Sequence, residues 1–137
     1  MKKLLISIWL AAGLAGGACA RTAVPLPAPT RVEVNAGNAE QMKSAIVQGS
    51  ARHSWQIQAS EPGKITLAYS KQGGRHQLVV SVAYDAAGFQ VQYVSSVGMD
   101  YKQTTAGEEI HPFYTKWVTT LSDDIVSSAR IASSVKP

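Results

Sequence analysis

Beyond its export-type start the chain has no cysteine: Cys19 is the only one among 137 residues. A disulfide framework is therefore excluded, and so are zinc sites built on Cys ligands. After residue 20 no run reaches the roughly 20 apolar residues of a membrane helix. Charge is scarce too. Only 16% of residues are charged, and no Lys/Arg cluster occurs. The basic stripe that nucleic acid requires is missing, so nucleic acid is not an expected partner. With 45% hydrophobic residues, the composition also excludes a disordered chain.

What is present begins with an address. Lys2 and Lys3 form a positive n-region, Leu4 to Leu14 an apolar h-region, and Gly16, Gly17 and Ala18 the small residues of a cleavage site. Two cleavage readings follow. Ala18-Cys19-Ala20 fits cleavage after Ala20, giving a free periplasmic protein. Alternatively, Cys19 is the lipid acceptor of a lipoprotein. Leu14-Ala15-Gly16-Gly17-Ala18 resembles a lipobox, with Gly16 where Leu is usual. The lone cysteine at the end of the h-region favours lipidation. Ala20 lacks the Asp of an inner-membrane retention signal, so the lipoprotein reading implies the outer membrane. Without Lys2 and Lys3 the net charge falls to about +2. The expected organisation is a signal peptide over 1–19 (or 1–20), a linker over 20–30, one domain over 31–132 and a frayed tail over 133–137. A domain of this size without bridges lives on its own core.

Pro25, Pro27 and Pro29 make the linker semi-stiff. At about 3.1 Å per residue it would hold the domain roughly 30 Å from its anchor. Arg31 to Val34 alternates as a short edge strand. Asn38 is an N-cap with Gln41 three residues on. Met42, Ala45, Ile46 and Gly49 then recur at helical spacing, predicting a helix over Ala39–Gly49 that ends at its glycine.

From Trp55 to Tyr93 the period is two. Trp55, Ile57 and Ala59 face in, as do Ile65, Leu67 and Tyr69, then Leu78, Val80, Val82 and Tyr84, then Phe89, Val91 and Tyr93. The turns are Glu61-Pro62-Gly63-Lys64, Gln72-Gly73-Gly74 and Asp85-Ala86-Ala87-Gly88. This is a four-stranded antiparallel meander. Its outward residues are Gln56, Gln58, Thr66, Ser70, Gln77, Ser81, Gln90 and Gln92. Such a polar, uncharged face is an ordinary solvated surface or an interface. Ser95 to Ile110 has no firm period and reads as a long loop. From Pro112 to Ala132 a helix is predicted, with Tyr114, Trp117, Val118, Leu121, Ile125 and Ala129 in one apolar stripe. The expected fold is α+β, ordered α-β-β-β-β-α, with both helices on one face of the sheet.

Arg52-x-x-Trp55, Pro62-Gly63-x-Ile65, Arg75-His76, Tyr84, Tyr93-x-Ser95, Tyr101, Ile110-His111-Pro112-x-Tyr114-x-x-Trp117 and Leu121 occur in that order. Their order and spacing, over about residues 32 to 126, resemble a family of small proteobacterial exported proteins labelled as lipoproteins. The chain departs from that pattern at Thr115, where Asn is common, and at Met99-Asp100, where Asn-Leu is common. The resemblance implies the fold and the address and carries no activity.

His53, His76 and His111 lie on three elements without zinc-site spacing, so no metal site is expected. Asp123 and Asp124 are adjacent and project about 100° apart on a helix, and Glu108-Glu109 is a solvated pair. No nucleophile elbow occurs. The expectation is therefore no catalytic residues and no cofactor. A binding rim is expected from Arg52, His76, Tyr101 and His111, at element ends between the last helix and the sheet. The leading functional expectation is a non-enzymatic envelope protein binding another envelope protein or a cell-wall component. The alternative is a small periplasmic enzyme or enzyme inhibitor acting on cell-wall material.

Overall fold

The protein is described by a computed structural model over residues 23–134. The predicted signal peptide and Cys19 lie outside the described residues. In chain order the elements are β1 (Val24–Pro25), β2 (Arg31–Glu33), α1 (Ala39–Ala51), β3 (Gln56–Glu61), β4 (Lys64–Lys71), β5 (His76–Asp85), β6 (Gly88–Val97), β7 (Lys102–Thr104), β8 (Gly107–Ile110) and α2 (Phe113–Ser134). The fold is α+β: two helices and two antiparallel sheets.

The meander β3–β4–β5–β6 forms on the expected turns. Gly63 has φ +80°, as position three of a type II turn requires. At the third turn the Asp85 carboxylate accepts the Ala87 N–H at 2.8 Å. Beside β6 lies β2, so the main sheet has five strands in the order β2-β6-β5-β4-β3, not four. Ile65, Leu67, Leu78, Val80, Val82, Phe89 and Val91 cover its inner face. They pack on Met42, Ala45 and Ile46 of α1 and on Trp117, Leu121, Ile125 and Ala129 of α2. Burying each large side chain stabilises by about 1.5–3 kcal/mol.

Several expectations need correction. Ile57 faces in as expected, opposite buried Leu67, yet at the sheet edge it stays 46% exposed. Ala59, expected to face in, does not: a β-bulge between Ile57 and Ala59 shifts the register and pairs it with Thr66 on the outer face. Only Trp55, just before this edge strand, reaches the core. Gly49 does not end α1, which runs on to Ala51. A Cβ at Gly49 would stand 2.8 Å from the Ile125 nitrogen of α2, so the glycine serves a close helix crossing. The Asn38 cap is as expected: its side chain accepts the Gln41 N–H at 2.8 Å. Ser133 and Ser134, expected to fray, are still helical.

The second sheet was not expected at all. Its order is β1-β8-β7. Ser95 to Ile110 is not a loop, because β6 continues to Val97 and β7 and β8 form a hairpin. Nor are residues 24–26 a free linker. Val24 pairs with Ile110, Pro25 with Glu109, and the Leu26 N–H donates to the Glu108 carbonyl at 2.9 Å. Proline is tolerated there because β1 is an edge strand.

Candidate functional site

The site begins with three inward aromatic residues. Trp55 is held where the chain leaves α1, its N–H donating to the Ser50 carbonyl at 3.0 Å. Tyr69 projects from β4 and Trp117 from α2. The Tyr69 ring lies 5.0 Å from Trp55 and 4.9 Å from Trp117, centroid to centroid. The first pair is tilted by 31°, and the second is edge-on, one of the favourable arrangements for aromatic rings. The three rings line a half-open slot of about 140 Å³, bordered also by His53, Lys71, Lys116 and Thr120. An apolar cavity near 150 Å³ holds one benzene-sized ring, which sets the scale of an occupant.

Charge at this slot is unbalanced. Asp124 accepts a hydrogen bond from His53 Nδ1 at 2.7 Å and lies 4.0 Å from the Arg52 guanidinium. That acid is thus already neutralised. Among the described residues Lys71 and Lys116 take part in no ion pair. The arrangement can stack one ring on aromatic faces and offer two ammonium groups to an anion.

Two of the expected rim residues come together nearby. His76 and His111 have ring centroids 5.6 Å apart, and Phe113 and Trp117 continue the aromatic run from them to the slot. His76 donates from Nδ1 to the Gly98 carbonyl at 2.8 Å. Buried His111 uses Nδ1 as acceptor for the Phe113 N–H at 3.0 Å, satisfying one of the open donors at the start of α2. Its neutral ring then carries the proton on Nε2. Both histidines thus act as structural hydrogen-bonding groups. No group of three or more metal-ligating side chains occurs among the described residues.

Tyr101 stands elsewhere, stacked on Tyr93 at 4.6 Å with its hydroxyl donating to Glu108 at 3.0 Å. Partial burial first, and then the Glu108 carboxylate, push its pKa above the usual tyrosine value. Together with Leu26, Ala28, Pro29, Gln92 and Val94, these side chains line a groove of about 450 Å³. Three of its wall residues come from the stretch expected to be linker.

The expected rim is therefore not one site. Arg52 is engaged with Asp124, eleven residues or about 16 Å along α2 from Phe113. Sequence reasoning missed Lys71, Lys116 and Thr120, because nothing local marks a lysine as bordering a slot. It assigned Trp55, Tyr69 and Trp117 to the core, which is where most of their area lies. Comparisons with family models, with curated proteins and with solved structures found no match.

Proposed function

We propose that the protein is a non-enzymatic binding protein of the bacterial envelope, anchored to the outer membrane through lipid on Cys19. Its ligand is a cell-wall component with an acidic group on a six-membered ring. One observation supports this above others: Trp55, Tyr69 and Trp117 line a ring-sized slot bordered by two lysines that, among the described residues, have no ion-pair partner. Sugar rings present an apolar face to aromatic side chains, and a carboxylate answers the ammonium groups. The test is co-sedimentation of the mature protein with purified cell-wall sacculi. The expected result is pelleting that falls at least tenfold for Lys71→Ala/Lys116→Ala, two lost charge-assisted contacts of about 1.5 kcal/mol each. Pelleting unchanged by the double substitution contradicts the assignment.

A second reading, a small periplasmic enzyme or enzyme inhibitor acting on cell-wall material, is favoured by the His53–Asp124 pair. Asp124 accepts the Nδ1 proton at 2.7 Å, which leaves Nε2 as a base, and His53 borders the slot. Release of soluble fragments from sacculi, abolished by His53→Ala, would support the enzyme. Absence of release supports the binder.

A further inference from the structure

The short distance between Cys19 and the first paired strand limits how the domain can sit on a membrane. Four residues lie between Cys19 and Val24, and the five Cα–Cα steps span at most about 18 Å. Val24 and Pro25 are part of the second sheet through Ile110 and Glu109, and Leu26 is tied to Glu108 and packs on the core. Beyond Ala23 the prolines therefore add no reach. A folded body of about 112 residues has a diameter near 30 Å, larger than this tether.

From this we infer that the domain rests on the lipid surface with the β1-β8-β7 sheet toward the headgroups. The inference rests on the lipid-anchor reading of Cys19. The exposed apolar residue Val94 borders the groove at this same edge, beside Leu26 and Tyr101. The groove thus opens next to the bilayer. The slot at Trp55 and Tyr69 lies at β3 and β4, across the sheet from β6, by about 10–14 Å of strand spacing.

Lipidation consumes the only thiol, so one introduced cysteine gives a single labelling position. Full-length lipidated protein is placed in phosphatidylethanolamine/phosphatidylglycerol vesicles containing a headgroup nitroxide lipid. A fluorophore is attached at Thr105→Cys, in the exposed β7–β8 turn, or at Gln58→Cys, exposed on β3. The expected result is at least threefold stronger quenching at position 105 than at 58. Inserting twelve Gly/Ser residues between Thr22 and Ala23 should bring the two close to equal. Equal quenching without the insertion, or a difference that the insertion leaves unchanged, overturns the inference. The intact mass of the same protein separates the two readings. A lipidated mass with equal quenching overturns the docking alone, and a mass without lipid on Cys19 overturns anchor and docking together.

Discussion

Gly49 of α1 and Ile125 of α2 meet backbone to backbone. A Cβ on Gly49 would lie 2.8 Å from the Ile125 nitrogen and 2.9 Å from its Cα. No rotamer change relieves a clash with main chain, so the helices would have to separate over the sheet. Gly49→Ala is expected to lose about 1–3 kcal/mol despite the better helix propensity of alanine. Denaturant unfolding of the two proteins measures it. An equal or higher midpoint for the variant would show that the crossing is looser.

Ser128, three residues further along α2, carries the opposite expectation. Its hydroxyl is buried, and among the described residues it has no hydrogen-bond partner. Removing an unsatisfied buried polar atom removes its desolvation penalty. Ser128→Ala is expected to stabilise by about 1 kcal/mol in the same unfolding experiment. A destabilised variant would reveal a partner for the hydroxyl.

Asp85 supplies a pH dependence. The Arg31 guanidinium donates to its carboxylate at 2.8 Å, and the Ala87 N–H donates at the same distance. These bonds, the Arg31 one foremost, hold its pKa below the usual carboxylate value. A depressed folded-state pKa means that the contribution is fully present above the unfolded-state value. It is lost as pH falls through the folded value. Melting temperatures from pH 7 to pH 2 are expected to place Asp85→Asn below the parent at neutral pH, with the two converging in acid. A gap that persists unchanged at pH 2 would assign the effect to the turn geometry instead of the charge.

How much of this was legible in the sequence depends on where each element finds its partner. The meander was legible because its turns are local and its alternation marks one buried face. The α2 stripe from Tyr114 to Ala129 was legible for the same reason at helical period. Strand β1 was not, since Val24–Pro25 pairs with Glu109–Ile110, about 85 residues away, and three prolines read as linker. The β7–β8 hairpin was hidden because only Ile110 in it is buried, so no alternation shows. Ile57 lies on the inner face opposite Leu67 but stands at the sheet edge, where little covers it. Ala59 went wrong because the bulge before it puts it opposite Thr66 on the other face. The slot is a case of the same kind. Its aromatic residues were visible, whereas Lys71 and Lys116 are placed beside them only by the packing of α2 on β4.

The most direct test of the binding account uses the slot's own reporters. Among the described residues Trp55 and Trp117 are the only tryptophans, and both line the slot. Their fluorescence is titrated with N-acetylmuramic acid, a ring bearing a carboxylate, and with N-acetylglucosamine, its neutral counterpart. The account predicts a saturable change with the acid, at least tenfold weaker binding of the neutral sugar, and loss of that preference in Lys71→Ala/Lys116→Ala. A fluorescence signal that neither sugar alters, or a response that the lysine substitutions leave intact, would contradict it.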